Sequence, residues 1–281
     1  MNAVQMAPQR YIAILNEYDS IFAHARAMSD RLTGRLISEK HLSYAETIFT
    51  KLLCHASSLR TLSPTLRPTS GAELWDIGAA CTLARALIEA FDALAYVSLH
   101  PVPPADRELR ILVWELHDKE HRLHMLEDIG SRDPNVEAVR TDANFLRDKV
   151  TTHPSYANLP KEVRKAIADG KAPAFLQSKR DRNTASGVNH DYHNAVTMYL
   201  SQYVHTLPFA LSHLVLTHAG DAGALQLVAM PLQYSMSFLS KTIVGIGSLW
   251  PDTQLEMSGE LQRAIGSWCL LAEQGVKHID R

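Results

Sequence analysis

Hydrophobic positions recur along this chain at intervals of three and four residues, and no run of alternating β-branched residues competes with them. Tyr11, Ile14, Leu15, Tyr18, Ile21 and Phe22 set one such stripe and predict a helix from Gln9 to Leu32. A second helix fits Leu42 to Leu62, where Ser63-Pro64 stops it. The proline-bounded loop "SPTLRPTSG" follows. Ser70 and Glu73 then have the spacing of a capping box, opening a third helix that runs to about His100. "HPVPP" ends it, because proline lacks the amide donor and clashes with the preceding turn. A fourth helix is expected from Asp106 to Ile129, and a fifth from Asp133-Pro134 to about Val150.

Residues 153–190 read differently. Pro154, Pro160, Gly170, Pro173, Gly187 and the charged "SKRDRN" break any long period, which predicts short helices and a mobile connection. The chain turns apolar again at Tyr192. Helices are expected from there to about His205, from Leu207 to Thr217, and from Ala222 to Leu249 with a kink at Pro231. Pro251-Asp252 precedes a last amphipathic helix ending near Gly275. The expected fold is all-α, an irregular bundle of about eight to ten helices in a single domain over residues 1–281.

Composition narrows the function classes. A chain of 281 residues can bury a large core, and its net charge of −2 lacks the basic excess of many nucleic-acid binders. Cys54, Cys81 and Cys269 lie far apart with no CxxC pair, against a disulfide framework or a cysteine zinc site and in favour of the cytoplasm. The N-terminus has no basic stretch followed by an uninterrupted apolar one, so no secretory signal is expected. Between Leu207 and Trp250 only Asp221 and Lys241 are fully charged, but Pro231, His213 and His218 interrupt the run. That region is expected as a buried core hairpin, not a membrane one.

The densest candidate chemistry is Trp114–His124, "WELHDKEHRLH". His117, Glu120 and His121 match the HxxEH pattern in which two histidines one turn apart bind zinc and the glutamate activates water. On a helical wheel Leu109, Leu112, Val113, Leu116 and Leu123 form the inward stripe. Glu120 and Glu127 fall inside it, His117 and His124 flank it, and His121 turns toward solvent. The wheel thus disfavours a peptidase and marks Glu120 instead, because a carboxylate on a core face needs a cation or several donors. Arg85 and Glu89 share one face of the third helix, and Ser201 and His205 share one face of a later one. If these helices are neighbours, Arg85, Glu89, Glu120 and His205 form a polar interhelical cleft. The plainer readings are an ion pair fixing helix register and a hydrogen-bonded core histidine. By the same plain standard "KRDR" at 179–182 is a solvated loop, and Trp114, Trp250 and Trp268 belong to core or interface.

"LARALIEAFDALAYV" and the later "MYLSQYVHTLP" resemble a bacterial family of all-helical proteins of unknown function, in which an Arg-x-x-x-Glu helix precedes a Ser-x-x-x-His helix. The similarity covers roughly residues 47–213 and singles out Arg85, Glu89, Ser201 and His205. It implies a fold and no established reaction. Families of this build also resemble the HEPN group, which includes RNases of toxin and antiphage systems, with an Arg followed after four to six residues by a His. Arg147–His153 matches that spacing at a helix end, and Arg35–His41 matches it too. The resemblance implies a defence or toxin-type accessory protein that cleaves or binds RNA without metal, with Arg147 stabilising phosphate charge and His153 moving a proton.

Two further readings stand beside it. One is a non-catalytic module that forms a homodimer through the apolar C-terminal helices. The other is a metal–carboxylate centre of Glu89, Glu120 and His117 or His205, weakened because the paired ExxH motifs of di-iron bundles are missing. RNA and a second copy of the chain are the partners these readings leave. No cofactor, no bound metal, no DNA and no membrane is expected.

Overall fold

The computed structural model describes residues 6–66 and 75–276. Among them there is no strand, and eleven α-helices form: α1 (Pro8–Leu32), α2 (Lys40–Leu62), α3 (Ile77–Leu94), α4 (Pro104–Asp128), α5 (Asn135–Thr152), α6 (Lys161–Ala168), α7 (Lys179–Ala185), α8 (His190–Val204), α9 (Pro208–Leu216), α10 (Ala222–Leu249) and α11 (Gly259–Gln274). The fold is all-α, with slightly more helices than the eight to ten expected. The excess lies between residues 153 and 190, where α6 and α7 have eight and seven residues, too short to declare a period. α7 also takes in "KRDR", so that stretch is helical and not a loop.

Local chemistry explains the boundaries. The Ser70–Glu73 capping box falls outside the described residues. α3 begins later, at Ile77, where the Asp76 carboxylate accepts from the Ala79 amide at 2.8 Å. It gives way to a π-helical turn, Ala95–Leu99, before the prolines. Asn189, Asp221 and Ser258 cap α8, α10 and α11 in the same manner. The helix α10 runs through Pro231 without ending there.

The chain divides into two compact units, one made of the segments before Tyr96 and from Asn183 onward, the other of Tyr96–Arg182. In the first, α10 packs against α1, α2, α3 and α11, α2 lies on α1 and α3, and α8 lies on α3. Buried tyrosines tie this core to backbone, Tyr11 to the Pro64 carbonyl and Tyr18 to the Ala56 carbonyl. In the second unit α4 and α5 pair across a tight turn at Gly130, whose φ of 61° closes α4 in a left-handed cap. Leu109, Val113, Leu116, Val150, Ile167 and Ala172 form the core of this unit. Each large apolar side chain among them contributes roughly 1.5–3 kcal/mol by burial.

Candidate functional site

In the first unit Arg85 gathers the α3 and α8 candidates. Its Nε donates to the Glu89 carboxylate at 2.9 Å, and one terminal nitrogen donates to the Thr197 carbonyl at 2.9 Å and to the Ser201 hydroxyl. Ser201 in turn donates to the Thr197 carbonyl at 2.7 Å. The guanidinium thus staples two helices, and its donors are committed. His205 does not join them. It follows the last turn of α8, is exposed rather than a core histidine, and no hydrogen bond or ion pair among the described residues links it to Arg85 or Glu89.

Glu120 belongs to the other unit and is satisfied there, so the four-residue cleft drawn from the sequence is not a single cluster within either unit. It lies buried on the inward face of α4. One oxygen accepts from Arg147 of α5 at 2.9 Å, and the other accepts from the Ala172 amide at 2.6 Å. The Ala172 peptide is delivered by a left-handed turn at Gly170 (φ 71°), where Lys171 donates back to the Ala166 carbonyl to close α6. The carbonyl of Ala172 lies 2.7 Å from His117 Nδ1. Arg147, Glu120 and His117 are therefore linked through the Ala172 backbone, whose amide meets Glu120 and whose carbonyl meets His117.

That arrangement decides the chemistry available to the two sequence motifs. A metallopeptidase glutamate needs a free oxygen for water, and Glu120 has given both to protein donors. Among the described residues no group of three or more His, Cys, Asp or Glu side chains is placed to hold a metal ion. In the Arg147–His153 pair, Arg147 also donates to Asn144 at 2.8 Å, and the His153 side chain is only 6% exposed. His153 Nδ1 accepts from the Ser155 amide at 3.1 Å, and Nε2 lies 3.8 Å from Glu108. In the second match, Arg35 is paired with Asp252 at 2.7 Å and His41 lies 3.5 Å from Glu39.

Helix α9 differs from its sequence pattern. It was expected inside a buried hairpin, yet Ala210 is its sole buried residue. Phe209 anchors it by ring contacts to Tyr199 and Tyr203, with centroids 6.0 and 6.5 Å apart. His213 Nδ1 lies 2.7 Å from the Tyr203 hydroxyl. The rest of the helix points outward, with Val215 and Leu216 each 77% exposed and Leu211 and Leu214 nearly half exposed. Beneath the anchor, burial pushes the Cys81 thiol up to about 12 and raises Tyr199 and Tyr234, which disfavours the thiolate form of Cys81. No described helix is long and apolar enough to cross a membrane.

No family model, curated protein or solved structure matches this chain.

Proposed function

We propose that the chain is a helical interaction module that pairs with a second copy of itself through α9. The observation that carries this reading is the exposure of Leu207, Phe209, Leu211, Leu214, Val215 and Leu216 on one short helix and its entry. Of these, Leu207, Leu211, Leu214 and Val215 share one side of the helix and present on the order of 400 Å² of apolar surface, within the range of patches that are often functional on a soluble monomer. Two copies facing each other through that side bury about 800 Å², the size of a weak, concentration-dependent contact. From Thr206 to Gly220 the chain carries no Lys, Arg, Asp or Glu. A two-fold contact sets a surface against itself, and a surface without charge meets no like-charge repulsion there.

The bacterial defence-type reading, with RNA as substrate, gains less support. It requires Arg147 free for phosphate and His153 within reach of a ribose hydroxyl, and both side chains are engaged inside their own unit. RNA cut in the presence of chelator, with cutting lost in His153→Ala, would reverse this preference. The association is tested by sedimentation velocity on Val215→Asp/Leu216→Asp. These positions are exposed, so the fold is expected to survive, which circular dichroism checks. The expected result is a wild type that associates with rising concentration and a variant that stays monomeric. A variant that associates as well as the wild type would overturn the reading, and binding to lipid vesicles without self-association would assign the patch to a membrane surface.

A further inference from the structure

The histidines of α4 do something that the zinc-peptidase pattern does not describe. His117 and His121 stand one helical turn apart, with ring centroids separated by 4.2 Å and planes tilted by 41°. Two imidazoles at i and i+4 can therefore turn toward one point in solvent. Their chemistry depends on which nitrogen carries the proton. A carbonyl oxygen only accepts, so the 2.7 Å contact from His117 Nδ1 to the Ala172 carbonyl places a hydrogen on Nδ1, and in the neutral ring the lone pair is then on Nε2.

The orientation is reinforced from behind. Ala172, whose carbonyl faces His117, donates its own amide to Glu120, and Glu120 is held by Arg147. Metal-binding histidines are typically fixed this way, by a carbonyl or carboxylate on the nitrogen that does not meet the metal. Burial follows the same division of labour. Glu120 is buried, His117 is half-buried and His121 is exposed, so the open side has free access for an ion and for water.

We propose that His117 and His121 form a two-histidine site for a divalent transition-metal ion that favours imidazole, with Cu²⁺ bound most tightly and Ni²⁺ and Zn²⁺ less so. No third His, Cys, Asp or Glu is grouped with them among the described residues, so water completes the coordination and the ion exchanges readily. Glu120 acts as a positioning residue by fixing the backbone of Ala172 and is not a ligand. Self-association through α9 is a separate matter, since α9 lies in the other unit.

The test is a Cu²⁺ titration of untagged full-length protein, followed by calorimetry and by electron paramagnetic resonance. A single ion per chain with two-nitrogen hyperfine structure is expected. His121→Ala, at an exposed position, should weaken binding at least tenfold with the circular dichroism unchanged. His124→Ala, one turn further on, should leave it unaltered. Glu120→Gln should weaken it roughly tenfold, the effect of losing a residue that orients a metal ligand. Unchanged affinity in His121→Ala would overturn the proposal, as would binding that depends on His124 and not on His117.

Discussion

The two arginine–glutamate clusters, one in each unit, differ most in the burial of the carboxylate. Arg85 and Arg147 are almost equally exposed, at 29% and 27% of the side chain. Their carboxylates are not alike: Glu89 is 59% exposed and Glu120 is 3% exposed. Glu89 keeps its water whether or not Arg85 is present, so the pair within α3 adds little, and the tether to α8 rests on the bonds of Arg85 to Thr197 and Ser201. Glu120 has left water, and its charge is tolerable only because Arg147 and the Ala172 amide replace the lost hydration. The strength of an ion pair is thus set here by the more buried partner.

Substitutions can break that comparison. Arg147→Met removes the cation and leaves a buried carboxylate with one backbone donor, which should cost about 3 kcal/mol in urea unfolding. A loss below about 1 kcal/mol would mean that Glu120 needs no cation, and the contrast would collapse. Arg85→Ala comes next, at about 1 kcal/mol, because the Thr197 carbonyl and the Ser201 hydroxyl lose a donor they can partly recover from solvent. Glu89→Ala should be smallest, within about 0.5 kcal/mol of wild type. An order of Glu89 above Arg147 would show that the exposed pair carries the load. Hydrogen exchange sharpens the contrast further: Arg147→Met should speed exchange in α5 and α6 more than in α3 and α8.

Much of the fold is legible in the spacing of apolar residues, and much of each cluster is legible in where polar ones interrupt it. Glu120 interrupts the stripe of α4 and is buried as the wheel places it. The pattern points to Arg85 on α3 as its partner, whereas the cation comes from Arg147 on the very next helix. Helices joined by a short turn are the nearest neighbours a chain can make, and that rule outranks chemical resemblance between distant motifs. The Ala172 amide and carbonyl could not have been named, because a backbone group has no signature in sequence. Only the left-handed turn at Gly170 brings them to Glu120 and His117.

The apolar C-terminal region shows where patterning runs out. Helix α10 is apolar on most sides and finds α1, α2, α3 and α11 around it. Helix α9 is apolar on most sides too, yet among the described residues Ala210 alone is buried in it, and Phe209 and His213 anchor it to Tyr199 and Tyr203. A helix without a polar face says that it needs neighbours and not whether its own chain supplies them. The region therefore reads as a buried hairpin in sequence and as one buried and one exposed helix in three dimensions.

The mass of the wild-type protein in solution, measured by light scattering across a concentration series, tests the central claim most directly. Association through α9 predicts a mass that climbs from the monomer's 31.3 kDa toward twice that value as concentration rises. A mass that stays at 31.3 kDa at every concentration would contradict it.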